Sequence, residues 1–141
     1  MAASRLALCV ALLIVLSVGS AFGQAQTTDN PRRFSDQVMQ QLLESPEAAV
    51  KLLREQSALG QASGFPVFSE QFRSGMQQGG AILRTEFVGE SKLGQSLLRH
   101  AYLVMQRQRP VHLQLTYYKA GEHWALSNLH FTSDWKEFPF R

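Results

Sequence analysis

The sequence changes character once, at Gly79-Gly80, and this change limits the folds that the chain can adopt. Before the glycine pair, apolar residues recur every three or four positions, which is the spacing of amphipathic helices. After it, the chain is rich in Leu, Val, Tyr, Phe and Thr, and glycine, proline or charged turns separate the apolar runs. Helices followed by strands predict an α+β domain rather than alternating βαβ units.

Helical spacing predicts three helices before the glycine pair. The first covers about 35–44, and the second begins at Ser45-Pro46, where serine suits the cap and proline the first helical position. Gly60 ends the second helix. The third carries an aromatic stripe, which predicts a core-facing surface more readily than a platform for stacking a ligand. Gly75 weakens its last turn, because glycine costs about 1 kcal/mol relative to alanine inside a helix.

Four strands are predicted after the glycine pair. Their approximate bounds are 82–89, 97–106, 111–118 and 124–131. The connections between the last three strands have the length of hairpin turns, so these strands should form an antiparallel meander. We therefore expect an α+β fold in which N-terminal helices pack on a curved, four-stranded antiparallel sheet.

The N-terminus has the three-part layout of an export signal. Arg5 supplies a positive charge, residues 6–18 are almost wholly apolar, and small residues precede Gln24 at the positions that specify cleavage. The apolar run is at the lower limit of what a membrane-spanning helix needs. The pattern predicts a signal peptide at 1–23, cleaved after Gly23, and a periplasmic or secreted protein with no stable membrane anchor after cleavage.

The mature chain is predicted to be a flexible leader followed by one domain. Residues 24–33 are polar and have little to bury, whereas residues 34–141 are long enough for a single core. Cleavage after Ala25 would also fit. The chain has one cysteine, Cys9, which would leave with the signal, so the mature protein would contain no disulfide, thiolate metal site or cysteine nucleophile.

Charge patterning argues against a nucleic-acid partner. The formal net charge of +3 is spread along the chain without a basic block, and Arg107 and Arg109 in one turn are too few to make a basic patch. No glycine-rich phosphate loop follows a predicted strand, so we expect no cofactor.

The segment 111–131 resembles the closing hairpin of a known superfamily. It reads VHLQLTYYKAGEHWALSNLHF, with a glycine turn, Trp124 opening the last strand and Phe131 near its end. This pattern is similar to small exported bacterial proteins of the NTF2-like superfamily, also called cystatin-like α+β cones. The resemblance implies a cone whose concave sheet face and helices enclose a pocket, and dimers formed through the outer sheet face. Members include isomerases, dehydratases and modules that only bind or assemble, so the fold alone does not choose a function.

Pairing the strands by their turns predicts which side chains face the helices. Residue 106 is placed opposite 111 and residue 118 opposite 123, and the face with more large apolar side chains is assigned to the core. Convergent polar groups in an apolar concavity are typical of a small-molecule site, although each could instead be a buried, hydrogen-bonded structural group. The cone, if open to a small apolar ligand, would be lined by Phe68, Phe72, His100, Tyr102, Tyr117, Trp124 and His130.

The opposite, outer face is more apolar than a solvated sheet face should be. This suggests a homodimer or another partner surface, or else packing under the aromatic C-terminal tail. A bulge in the last strand would exchange part of this assignment. The residues assigned to the outer surface are Leu103, Met105, Leu129 and Phe131.

An acid–base enzyme of the isomerase or dehydratase type is the alternative function. Proton abstraction next to a carbonyl needs a positioned base, and Glu86 is the one carboxylate in the predicted strands, where His100 or Tyr117 could assist it. Glu86 also lies close to Arg84, which favours an exposed ion pair. The four histidines are too dispersed to share a metal ion. We therefore expect an exported, non-catalytic binding or assembly module.

Overall fold

The computed structural model of the chain describes residues 27–140, and the predicted signal peptide with its cleavage sites lies outside them. The α+β class is confirmed, with three helices followed by four strands. The elements, in chain order, are α1 (Pro31–Glu44), α2 (Pro46–Gln56), a 3-10 turn (Leu59–Gln61), α3 (Phe65–Gln78), β1 (Ile82–Leu93), β2 (Leu97–Gln106), β3 (Pro110–Ala120), β4 (His123–Thr132) and a second 3-10 turn (Trp135–Glu137).

The four strands form one antiparallel meander in the order β1-β2-β3-β4. The sheet is open, so β1 and β4 are its edges. The helices lie on one face, and their apolar stripes bury that face to make the core. The buried apolar side chains of the sheet are Leu98, Tyr102, Val104, Val111, Leu113, Leu115, Tyr117, Leu126 and Leu129.

The first helix begins earlier than the sequence pattern indicated. Pro31 is the first residue of the helix, and the Asn30 side chain caps the helix by accepting a hydrogen bond from the Arg33 backbone N–H. Two backbone hydrogen bonds, of 2.8 and 3.1 Å, join Thr28 to Trp124 of β4. The end of the predicted leader therefore belongs to the folded domain. The apolar spacing did not indicate this earlier start, because a capping residue and a proline begin the helix and neither belongs to the apolar stripe.

A glycine inside α3 has a packing role. An added Cβ at Gly75 would lie 2.6 Å from a ring carbon of Phe131, too close for a real contact. The Phe131 ring instead packs edge-on against Phe72, with ring centroids 5.4 Å apart. Glycine at this position lets the last strand approach the helix, which explains a residue that helix propensity disfavours.

The strand register differs from the prediction by two residues, and the face assignment of β2 and β3 is unchanged because side chains alternate with a period of two. His100 lies opposite Leu115 rather than Tyr117. The strands extend closer to their turns than expected. His123 pairs with Ala120, and Gly121 in the turn has a φ of +68°, which glycine adopts without strain.

A bulge in β4 reverses the faces of its second half. Tyr117 pairs with Leu126, but Thr116 pairs with Asn128, so Ser127 is the extra residue. The bulge turns Leu129 and Phe131 toward the helices and His130 toward solvent. The placement of Leu129 and Phe131 on the outer face, and of His130 on the inner face, was therefore wrong. Burying two large apolar side chains in place of two polar ones favours the bulged register.

Two register shifts in β1 set the positions of its carboxylates. They leave Leu83 and Val88 without a partner in β2, and both side chains are exposed. Between the shifts, Glu86 lies opposite the outward-facing Leu103; after the second shift, Glu90 lies opposite His100 on the inner face. The strand therefore presents one carboxylate to each side of the sheet.

Candidate functional site

A chain of hydrogen bonds crosses the interior beneath α1. Its members, which we call the buried relay, are Glu90, His100, Ser35 and Tyr117. Glu90 Oε2 is 2.8 Å from His100 Nε2, and His100 Nδ1 is 2.8 Å from Ser35 Oγ. Ser35 Oγ is also 2.8 Å from the Tyr117 hydroxyl. One helix and three strands thus meet in a single polar chain.

Ordinary periodicity brings these four side chains together. Ser35 lies three residues before Val38 and four before Met39, on the stripe of α1 that faces the sheet. Glu90 and His100 are direct cross-strand partners, and the His100 ring packs edge-on against Tyr117 with centroids 5.6 Å apart. The relay is therefore built by α1 docking on the centre of the sheet.

One arrangement of donors and acceptors gives every hydrogen-bonding atom of the relay a matching partner. The carboxylate can only accept, so Nε2–H of His100 donates to it and Nδ1 accepts from the Ser35 hydroxyl. The Tyr117 hydroxyl then donates to Ser35 Oγ. Glu90 is 40% exposed and connects this chain to solvent.

A second polar group lies beside the relay, at the start of α1. The Tyr102 hydroxyl donates to Asp36 at 2.8 Å, and Asp36 also accepts from Arg32 Nε at 3.1 Å. The Arg32 guanidinium lies 3.3 Å from the centre of the Phe87 ring, a cation–π contact. Burial and the bond to Asp36 raise the pKa of Tyr102 well above its usual range, so its phenol stays protonated.

The relay has the connectivity of a hydrolase triad, in which a carboxylate orients a histidine that activates a serine. Its setting differs from that of an accessible triad. Ser35, His100 and Tyr117 are each 0% exposed, and Ser35 Oγ already contacts two side chains. Burial also raises the pKa of Tyr117 well above its usual range, so that phenol does not serve as a base. No surface of this serine is open to a substrate in the structure.

The seven predicted pocket residues do not surround an open cavity. Phe72, His100, Tyr102 and Tyr117 are buried and fill the space between helices and sheet, while Phe68 and Trp124 are half-buried at its margin. His130 is exposed on the other side. The best-defined surface clefts on the described residues have volumes of about 160–550 Å³, and His100, Tyr102 and Tyr117 do not line them.

The predicted acid–base pair is not assembled. Glu86 lies on the outer face, where its carboxylate is 2.9 Å from Arg84 Nε. His100 and Tyr117 lie on the inner face, so the sheet separates them from Glu86. The carboxylate that reaches His100 is Glu90, which the sequence placed beyond the end of the first strand.

Two relay members escaped the sequence-based prediction. Ser35 had a usable signal, because it shares the helical face of Val38 and Met39 and a polar residue on a core stripe needs a partner. Glu90 had none. Its inward orientation depends on the bulge at Val88, which the strand pattern does not indicate.

The outer face contains a second buried histidine with a different environment. His112 is 2% exposed because the Phe138 ring of the C-terminal tail packs on it, with ring centroids 5.6 Å apart. Its Nε2 is buried and has no hydrogen-bond partner among residues 27–140. Burial, with a smaller contribution from the nearby His130, lowers the pKa of His112. This ring is therefore held in the neutral form.

Among the described residues, no three His, Asp, Glu or Cys side chains are grouped so that they could hold a metal ion. Over the same range, no helix is long and apolar enough to cross a membrane. No protein-family model, curated protein or solved structure matches the chain. The similarity to the NTF2-like superfamily therefore stays a prediction from the sequence.

Proposed function

We propose that the protein is an exported, non-catalytic assembly module, similar to NTF2-like cones, that forms a homodimer through the outer face of its sheet. The observation that carries this proposal is the closure of the relay. The side chains best suited to acid–base chemistry, Ser35, His100 and Tyr117, are fully buried and already hydrogen-bonded. The signal-like pattern of residues 1–23 supports export.

Because the interior is filled, we propose that the protein binds its partner at the surface. An apolar ligand in the cone would have to displace the ring of Phe72 or Tyr117, both of which have no exposed surface. Such a displacement would open a cavity in a closely packed core. Binding at the sheet's outer face opens no cavity in the core, because, among residues 27–140, the helices α1, α2 and α3 all pack on the opposite face.

The centre of the outer face has the composition of a self-association surface. Ala101, Leu103 and Met105 are only half-buried, and their neighbours Gln114 and Thr116 in β3 are uncharged. Around this centre, Arg84 is paired with Glu86, and the exposed Arg99 lies toward one end of β2. The uncharged centre can meet an identical copy without like-charge repulsion at that point.

Sedimentation velocity of residues 24–141 across a micromolar concentration series tests the assembly claim. We expect a concentration-dependent dimer that Leu103→Glu abolishes, because a carboxylate at the centre of the interface would be desolvated without a partner. Val67→Glu is the matched control, since Val67 is a 64% exposed apolar residue on α3, away from the sheet. A strict monomer, or equal loss with both variants, would contradict the proposal.

Labelling with a fluorophosphonate, which reacts with activated serines, tests the catalytic alternative. We expect no adduct in the intact mass of the folded protein, because Ser35 is closed to the reagent. An adduct that maps to Ser35 and disappears in Ser35→Ala would show that α1 opens to expose a working nucleophile. The non-catalytic assignment would then be wrong.

A further inference from the structure

The C-terminal segment 134–140, which we call the strap, lies against the outer face of the sheet. Its Phe138 ring covers His112, and His112 pairs directly with Leu103 across β2 and β3. The strap therefore occupies the region through which the proposed dimer would form. Trp135 and Phe140 of the same segment remain 65% and 77% exposed.

The strap is weakly attached to the surface that it covers. The backbone N–H groups of Lys136, Glu137, Phe138 and Phe140 all donate to acceptors within 134–138. Among the described residues, none of the hydrogen bonds of the strap reaches β2 or β3. The Phe138 ring packs on His112 of the face, and a segment without hydrogen bonds to β2 or β3 can detach without breaking the sheet.

The covered surface also contains an unsatisfied group. The strap encloses His112 Nε2 without offering it a hydrogen-bond acceptor or donor. A buried polar atom without a partner favours any arrangement that returns it to water or pairs it. Removing the strap exposes the ring and relieves this cost.

We propose that the strap is a reversible cover of the outer sheet face and that a second copy of the chain displaces it. This inference rests on the proposed function, to which it adds a form of control. The face beneath the strap is uncharged at its centre, as described above, which suits an identical copy better than a strongly charged partner. Dimerisation then requires the Phe138 ring to leave His112. The free energy of this ring contact therefore opposes association, and a weaker contact gives a tighter dimer.

Carbethoxylation of histidines by diethyl pyrocarbonate, mapped by peptide mass spectrometry, tests the cover. Two other histidines serve as internal references. His130 is exposed and should react, whereas His100 is 0% exposed and should be protected. At a concentration where the chain is monomeric, we expect His112 to be protected in the wild type and to react like His130 in Phe138→Ala. Trp135→Ala is the control and should leave His112 protected, since its side chain is largely exposed.

Sedimentation velocity of the same variants tests the second copy. Phe138→Ala should dimerise about 5- to 150-fold more tightly than the wild type, because each of the two protomers loses one aromatic contact. A chain ending at Ser133 should do the same, which guards against a local effect of the alanine. Reactive His112 in the wild type, or protected His112 in both Phe138→Ala and the truncated chain, would overturn the cover.

The two assays separate failure of this inference from failure of the proposed function. If His112 becomes reactive in Phe138→Ala but association does not strengthen, the strap covers the face without controlling assembly, and the inference is wrong. If the wild type and every strap variant stay monomeric, the homodimer itself is wrong. If Phe138→Ala weakens association, the strap contributes to the dimer contact and is not its competitor.

Discussion

Two buried histidines lie on opposite faces of the same sheet and differ in their hydrogen bonding. His100 on the inner face and His112 on the outer face are 0% and 2% exposed. Both nitrogens of His100 have partners 2.8 Å away, whereas His112 Nε2 has none among residues 27–140. Similar burial therefore accompanies a satisfied polar group on one face and an unsatisfied one on the other.

The difference follows from what covers each ring. Over His100 lies α1, a 14-residue helix that supplies Ser35 as a hydrogen-bond partner and large apolar side chains to the core. Over His112 lies a short segment that contributes a phenylalanine ring. The inner face is covered by a helix that forms part of the core, whereas the outer face is covered by the strap, which can detach. We interpret the relay as structural and the outer face as the working surface.

The largest expected effect is a difference between His100→Leu and His112→Leu. Loss of the His100 ring breaks the relay in the middle of the core, and we expect a fall of about 2–4 kcal/mol in the free energy of unfolding. His112→Leu replaces an unpaired polar group by an apolar one, so it should be neutral or stabilise by up to about 1 kcal/mol. Urea unfolding followed by circular dichroism measures both. Equal losses would remove the distinction between the two faces.

A smaller effect should separate two single-atom changes within the relay. Ser35→Ala leaves His100 Nδ1 and the Tyr117 hydroxyl buried without partners, and should cost about 2–3 kcal/mol. Tyr117→Phe removes a donor but leaves Ser35 bonded to His100, and should cost about 1 kcal/mol. Urea unfolding of the two variants and the wild type measures both losses in the free energy of unfolding. A Tyr117→Phe loss as large as that of Ser35→Ala would show that the chain of donors is assigned in the wrong direction.

The smallest effect is a pH dependence that belongs to His112. Because burial lowers the pKa of His112, the unfolded chain binds a proton at this ring more readily than the folded protein, and stability is lost as the pH falls below the ordinary pKa of ~6.5. The stability advantage of His112→Leu over the wild type should therefore grow on acidification. The nearby His130 contributes to the pKa of His112, so the matched double variants carrying His130→Ala isolate His112. An advantage that stays constant with pH would contradict the assignment.

The sequence predicted the part of the fold that depends on periodicity. Three helices, four strands and the meander follow from apolar spacing and turn residues, and an error of two residues in register did not change the faces of β2 and β3. The β4 bulge was anticipated as a source of error but its position was not. It is fixed by how Leu129 and Phe131 pack against the helices, and this depends on tertiary contacts.

The candidate site was less predictable than the fold, for the same physical reason. His100 and Tyr117 were correctly placed on one face, but their partners come from a helix and from the far end of β1. Bulges decide whether Glu86 or Glu90 reaches the interior, and strand patterns do not locate bulges. The sequence therefore identified His100 and Tyr117 as inward-facing residues but did not identify their partners, Ser35 and Glu90.

We infer that the interior of the domain is structural and that the outer face of the sheet mediates self-association. Sedimentation velocity of Ser35→Ala and Leu103→Glu, at a temperature where circular dichroism shows both to be folded, separates the two faces. We expect Ser35→Ala to dimerise like the wild type despite its lower stability, and Leu103→Glu to be monomeric. Normal dimerisation by Leu103→Glu, together with a monomeric Ser35→Ala, would instead place the association surface on the relay side.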